Sequence, residues 1–231
     1  YHEWVRRLSA AGVTAGASVA VIGDFSPGSV SALLALVGMR CILVPMSRDS
    51  RDQHDQFCDI AEIDFRIDLD ENDQGVINAT GYRKGHPLLQ QMRDANEPGL
   101  VLFSSGSTGK PKAILHALPQ LLEKFRKPRH CYRTVTFLLF DHIGGFNTLM
   151  YTMANLGCVV APDDRSVSKV CKAIERHKAE LLPTSPSFLN LLLLGESHRE
   201  FDLSSLKLIT YGTEVMPERT LALLSEAFPN V

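Results

Sequence analysis

Short apolar runs alternate with helical stretches along this chain, and that alternation restricts the fold more than any other feature of the sequence. In residues 18–46, SVAVIGDFSPGSVSALLALVGMRCILVPM, the run at 19–22 reads as a buried strand. Ser26 then stands as a helix N-cap, with Pro27 at the first helical position, where a missing N–H is tolerated. Val30, Leu33, Leu34 and Val37 follow at i, i+3, i+4 and i+7 and predict one apolar helix face; Gly38 is the expected stop, and residues 41–44 form the next strand. The same rhythm returns downstream. Residues 158–161 read as a strand, Val167, Val170, Cys171 and Ile174 line a helix, and Leu181 and Leu182 begin another short strand. Ser185 and Pro186 cap SFLNLLLL, residues 206–209 form a strand, and Pro217 opens a helix carrying Leu221, Leu224 and Phe228. Strands that are apolar throughout, separated by helices, imply an α/β fold of mostly parallel sheets with helices on both faces.

Between these units, residues 47–87 are polar and acidic. Asp64, Asp68, Asp70, Glu71 and Asp73 have no EF-hand spacing and read as solvated surface. The pattern weakens at residues 94–99, the expected boundary between a first lobe at 1–98 and a second at 99–231. The basic stretch KFRKPRHCYR, residues 124–133, reads as an exposed helix end. With 45% hydrophobic and 22% charged residues and a net charge of -2, the 231-residue chain can bury a sizeable core, and it has neither the composition of a disordered segment nor that of a nucleic-acid binder. It has no apolar run of membrane-spanning length and no signal-peptide core, so a cytoplasmic location without a membrane span is expected. Five scattered cysteines without a C-x-x-C pair, Cys41, Cys58, Cys131, Cys158 and Cys171, read as small core residues. The chain starts at Tyr1 rather than Met and stops at AFPNV without a closing feature, so it is expected to be an excerpt.

Residues 100–116, LVLFSSGSTGKPKAILH, carry the chemistry. A buried strand at 100–103 runs into a turn in which Gly106 and Gly109 free successive N–H groups to point at one guest. Ser104, Ser105, Ser107 and Thr108 add hydroxyls, and Lys110 and Lys112 add positive charge. Such a loop suits a polyphosphate. It is no Walker loop, because Gly106 stands only three residues before Gly109 and Pro111 follows Lys110. The whole string resembles the phosphate-binding signature of the adenylate-forming superfamily, which comprises AMP-forming acyl- and aryl-CoA ligases, amino-acid adenylation domains and luciferases. Ala113 stands where that family usually carries a third glycine.

The resemblance implies further residues. His142, followed by Ile143, Gly144, Gly145 and Phe146, is similar to the His-x-x-Gly of the CoA-ligase branch, where the histidine faces the substrate carboxylate and the α-phosphate. In a competing register, Phe140-Asp141 resembles the Phe-Asp of amino-acid adenylation domains, where the aspartate holds the substrate ammonium; the Gly-Gly-Phe after His142 favours the ligase register. Tyr211-Gly212-Thr213-Glu214 looks like the family turn that lies against adenine, with one glycine where two are common. The resemblance thus assigns Ser104, Ser105, Gly106, Ser107, Thr108, Gly109, Lys110 and Lys112 to the ATP phosphates, Lys112 and His142 to catalysis, Gly212, Thr213 and Glu214 to adenine, and His142, Phe146, Asn147 and Ser185 to the acid. It implies an incomplete N-terminal domain of an ATP-dependent ligase of a small carboxylic acid, fatty acids included, with CoA or a carrier-protein phosphopantetheine as acceptor and an acyl or peptidyl carrier protein as a partner. The family's glutamate for Mg²⁺, its ribose-binding aspartate and its C-terminal lysine would lie outside this chain, which by itself is expected to be inactive. The alternatives are an amino-acid adenylation domain and an inert scaffold of the same fold.

Overall fold

A computed structural model of the protein describes residues 1–105 and 111–231. It divides into two compact units, Tyr1–Lys124 with Leu139–Ile143, and Phe125–Leu138 with Gly144–Val231.

In the first unit, α1 (His2–Ala10) leads to β1 (Ser18–Gly23), α2 (Pro27–Gly38) and β2 (Ile42–Ser47). β1 and β2 pair in parallel, Val19 beside Leu43, and every residue of both is buried, which requires cover on both faces of the sheet. The entry to α2 is as expected. Ser29 N donates to Ser26 Oγ at 3.1 Å and Ser26 N donates to Ser29 Oγ at 3.0 Å, a reciprocal cap behind Pro27. The buried face differs from the expected one: Ser29, Ala32, Leu33, Ala35 and Leu36 are buried, while Val30, Leu34 and Val37 are only half-buried. α2 is apolar on nearly every side and packs on α1 as well as on β1 and β2, so one helical spacing could not single out the face, and its small residues take the close approach. Gly38 stays helical, and the left-handed turn falls at Arg40 (φ 58°).

The acidic stretch matches the expectation of solvated surface only in part: Asp70 and Glu71 are exposed, while Asp64, Asp68 and Asp73 are half-buried. It folds into α3 (His54–Ile60), β3 (Phe65–Leu69) and β4 (Gly75–Ala79), followed by α4 (Pro87–Ala95). β3 runs parallel to β1 and forms a hairpin with β4. Ile67 and Leu69 are buried, whereas Arg66 and Asp68 pair at 2.7 Å. The acids hold main-chain donors: Asp64 accepts from Ser18 N at 2.9 Å, Asp73 from Gly28 N at 2.8 Å, and Asp70 from Asn72 N and Gln74 N within the hairpin turn. Glu62, which is buried, accepts from Gly85 N and His86 N and lies 3.8 Å from the buried Arg93 of α4. β5 (Gly99–Ser105) then joins β2 in parallel and β6 (Pro111–Ala117) pairs antiparallel with β5, giving the six-stranded order β4-β3-β1-β2-β5-β6, with antiparallel pairs at both edges. Gly99, the expected start of a second lobe, thus opens a strand of this same sheet. α5 (Leu118–Leu122) follows.

The second unit holds β7 (Arg133–Val135), most of α6 (Ile143–Ala154), β8 (Cys158–Val160), α7 (Val167–His177), β9 (Leu181–Thr184), α8 (Pro186–Leu194), α9 (Ser197–Glu200), β10 (Leu208–Tyr211) and α10 (Glu218–Ala227). Its strands are all parallel, in the order β10-β9-β7-β8. Val170, Cys171 and Ile174 pack with Leu182, Phe188 and Leu192 in its core, as the helix pattern predicts. β10 starts at Leu208 rather than 206, because Leu206 is spent as a buried anchor in the preceding turn. The basic stretch is mostly an exposed loop entering β7 rather than a helix end. Cys41, Cys58 and Cys171 are buried, and desolvation pushes their thiols up to about 12, 11 and 11; Cys131 and Cys158 are exposed, against expectation. Among the described residues, no helix is long and apolar enough to cross a membrane.

Candidate functional site

In the first unit, Leu100, Val101 and Leu102 of β5 are buried and drive the strand into the sheet, while Ser104 at its end is exposed. The β5–β6 ladder sets Phe103 opposite Ala113, Ser104 opposite Lys112 and Ser105 opposite Pro111. Cross-strand partners share a face. Phe103 stacks on Phe57 of α3 with ring centroids 4.0 Å apart and 8° between planes, so Phe103 and Ala113 face α3, and Ser104 and Lys112 stand together on the other face, both exposed. The ladder therefore delivers a hydroxyl and an ammonium side by side at the mouth of the Ser/Gly/Thr loop. The assigned residues Gly106, Ser107, Thr108, Gly109 and Lys110 lie outside the described residues.

The short segment Leu139–Ile143 is anchored in the same unit. Phe140 is buried edge-on against Phe25, with centroids 5.5 Å apart. Asp141 Oδ2 accepts from Ser47 N at 2.9 Å, at the end of β2. Its Oδ1 is buried without a hydrogen-bond partner among the described residues and lies 3.9 Å from His142 Nε2. His142 N donates to Leu139 O, closing a turn that leaves the imidazole 58% exposed. The competing registers thus differ in the structure: Phe140 and Asp141 anchor the backbone, and His142 is presented outward.

In the second unit, Phe146 is buried within α6 and Asn147 Oδ1 is buried without a hydrogen-bond partner among the described residues. Gly144 has Leu138 Cδ1 only 2.9 Å from where a Cβ would stand. Ser185 caps α8, its Oγ accepting from Phe188 N at 3.2 Å. The turn after β10 reaches this cap: Gly212 N donates to Thr184 O at 3.3 Å, and Glu214 Oε2 accepts from both Ser187 N (3.1 Å) and Ser187 Oγ (2.6 Å). Ser185, Gly212, Thr213 and Glu214 are therefore brought together around the first turn of α8. Thr213 has φ 70°, a left-handed conformation that costs a β-branched residue ~1–3 kcal/mol. Gly212 and Thr213 are exposed, while the Glu214 carboxylate is turned to Ser187. Sequence reasoning missed Ser187, Ser47 and Phe25. The Ser185-Pro186 cap marked the helix start beside Ser187, but no sequence pattern signals a contact 27 residues away.

Among the described residues, no group of three His, Cys, Asp or Glu side chains could hold a metal ion.

Comparison with known proteins gives this arrangement a family. The indoleacetate–CoA ligase of Aromatoleum aromaticum is 26% identical over 93% of this chain and 48% of its own length. An acetyl-coenzyme A synthetase of Rhodopirellula baltica is 30% identical over 62% of this chain and 23% of its own length. The chain thus spans about half of the first relative and less of the second. Among solved structures, the anthranilate CoA ligase AuaEII in complex with anthranoyl-AMP matches 97% of this chain and 49% of its own with a TM-score of 0.78 at 20% identity. The luciferase-like enzyme of the Zophobas morio mealworm matches 98% of this chain and 61% of its own with a TM-score of 0.76 at 19% identity. These structural matches establish the shared fold. The model of the AMP-binding enzyme family matches residues 5–231, and the chain belongs to that family.

Proposed function

We propose that the protein containing this chain joins a small carboxylic acid to a thiol through an acyl adenylate. The observation that carries this reading is the pairing of Ser104 with Lys112 across the β5–β6 ladder, which sets a hydroxyl and a cation at the mouth of the Ser/Gly/Thr loop. In this reading Ser104, Ser105, Lys112 and residues 106–110 bind the β- and γ-phosphates of ATP. The backbone of Gly212 and Thr213 lies along the adenine. His142 faces the carboxylate, and Phe146, Asn147 and Ser185 border the acid.

The carboxylate oxygen attacks the α-phosphorus, the bond from that phosphorus to the bridging oxygen breaks, and pyrophosphate leaves with the electron pair. A thiolate then attacks the acyl carbon and AMP leaves. Lys112 and the loop donors counter charge building on the leaving pyrophosphate, and the His142 imidazole donates to oxygens whose charge changes as the adenylate forms. Mg²⁺ would supply further charge neutralisation on the phosphates; this chain is assigned no ligand for it. The names of the relatives, CoA ligases and synthetases, support CoA as the acceptor thiol, with a carrier-protein phosphopantetheine as the alternative.

The test is ATP–pyrophosphate exchange by the purified full-length protein against fatty, aryl and amino acids, followed by thioester formation with CoA or a loaded carrier protein. Exchange driven by simple carboxylic acids supports the reading. Exchange driven by amino acids alone replaces it with amino-acid adenylation, and no exchange with any acid overturns it.

A further inference from the structure

The turn after β10 combines a strained residue with a clamp. Thr213 occupies the left-handed region at φ 70°, where a β-branched side chain crowds the backbone, and its own hydroxyl is turned onto Gly212 O at 2.5 Å. A Cβ on the neighbouring Gly212 would meet nothing within 4 Å, so packing does not impose the conformation there. Next along the chain, the Glu214 carboxylate takes two hydrogen bonds from one residue, Ser187 N and Ser187 Oγ, in the first turn of α8. A carboxylate there also meets the positive end of the helix dipole. Behind the turn, Gly212 N reaches Thr184 O. A strained conformation persists only where its surroundings over-determine it, and the two attachments on either side of Thr213 do that.

We propose that Ser187 is a positioning residue for nucleotide binding: through Glu214 it holds Thr213 in its left-handed conformation, so that the exposed turn at Gly212 and Thr213 is already shaped for the base. Glu214 then acts as the anchor of the turn and not as a contact to adenine. This rests on the adenylate-forming reading above. It also explains how a threonine is tolerated at a position whose backbone suits glycine: the clamp supplies the order that a glycine would need from its ligand.

The test uses the full-length protein, with ATP and GTP as probes in pyrophosphate exchange and AMP binding followed by calorimetry. Ser187→Ala is expected to raise the apparent KM for ATP by about tenfold, the loss of the one charge-assisted hydrogen bond made by Ser187 Oγ, the main-chain N–H being kept, with kcat little changed and the preference for ATP over GTP reduced. Glu214→Gln, which leaves Ser187 in place, is expected to shift KM in the same direction by less. Thr213→Gly removes the strain, so in its background Ser187→Ala is expected to have less than a twofold effect. Unchanged KM and ATP preference in both Ser187→Ala and Glu214→Gln overturn the clamp while leaving the adenylating reading intact. An equal Ser187→Ala penalty with Thr213 and with Gly at 213 overturns the strain argument and with it the proposal. Should Ser187→Ala not fold, Glu214→Gln alone and combined with Thr213→Gly decides by the same criteria. Wild-type protein that binds neither ATP nor AMP overturns both this inference and the function proposed above.

Discussion

The main-chain N–H of Ser47 donates to Asp141 Oδ2 at 2.9 Å, tying together positions 94 residues apart in the chain. Asp141 is 13% exposed and its neighbour His142 is 58% exposed, so adjacent residues stand in different environments. Asp141→Ala is expected to lower stability by ~1.5–3 kcal/mol, the usual loss for a largely buried hydrogen bond to a charged acceptor. Asp141→Asn, which keeps an acceptor oxygen, should lower it less. His142→Ala should leave the melting temperature nearly unchanged and reduce exchange on the order of ten- to a thousandfold, mainly through kcat. Thermal denaturation and exchange kinetics on the same preparations separate the two. An Asp141→Asn protein that loses amino-acid substrates selectively while keeping its stability would instead place Asp141 on a substrate ammonium.

Lys112 and Ala113 are successive residues on opposite faces of β6. Lys112→Ala should weaken ATP-dependent exchange strongly, by on the order of a hundredfold, because a cation beside the departing pyrophosphate is lost. Ala113→Gly, on the face towards Phe57, should change exchange little and cost under about 1 kcal/mol in stability, the backbone entropy of a strand glycine. Equal kinetic effects of the two substitutions would count against a phosphate role for the lysine.

Much of the fold was legible because its strands and helices carry their own local signals. Ser26-Pro27 and Ser185-Pro186 cap helices as their chemistry requires, and Val170, Cys171 and Ile174 face a core. The acidic stretch was not legible, because its carboxylates are used to hold backbone. Asp64 and Asp73 look like surface residues in the sequence, yet each completes a main-chain hydrogen bond made by a distant strand or helix. β3 was missed for the same reason: only Ile67 and Leu69 face inward, and Arg66 and Asp68 satisfy each other outside. At the candidate site, the motifs point to Ser104, Lys112 and His142, and the outward turn of His142 is seen only in the structure. The supports Ser47 and Phe25, and Ser187 beneath Glu214, contribute a backbone N–H, a ring or a lone hydroxyl and leave no pattern at their own positions.

The buried pair of Glu62 and Arg93 gives a pH signature. Burial alone would raise the Glu62 carboxyl, but the main-chain N–H groups of His86, Gly85 and Lys84, together with Arg93, outweigh it and hold the group below the ordinary glutamate value. A depressed folded-state pKa contributes stability above the unfolded-state value, and that stability is lost as pH falls through the folded-state value. Glu62→Gln is therefore expected to cost ~1.5–3 kcal/mol at neutral pH, the usual worth of hydrogen bonds to a charged acceptor, with the gap to wild type closing below the ordinary glutamate range. Urea denaturation of both proteins across that interval measures it. A gap that stays constant with pH would assign the loss to packing.

The reciprocal cap of α2 offers a further check on the fold. Ser26→Ala removes the Oγ that accepts from Ser29 N, while the main-chain N–H of residue 26 can still donate to Ser29 Oγ, and should lower stability by about 1 kcal/mol. Ser26→Asp, which retains an acceptor at the helix start, should cost less. Denaturant midpoints at constant m-value read the difference, and indistinguishable Ala and Asp variants would refute the cap's contribution.

Ser18 and Ser47 each give a main-chain N–H to a carboxylate elsewhere in the chain. A tie of this kind constrains the amino acid at one of its two ends, because the other end offers a group that every residue except proline carries. Such positions can drift during divergence while the attachment persists. Paired substitutions therefore leave no trace of these ties, and contact inference from co-varying columns would overlook the bonds that place Asp64 and Asp141.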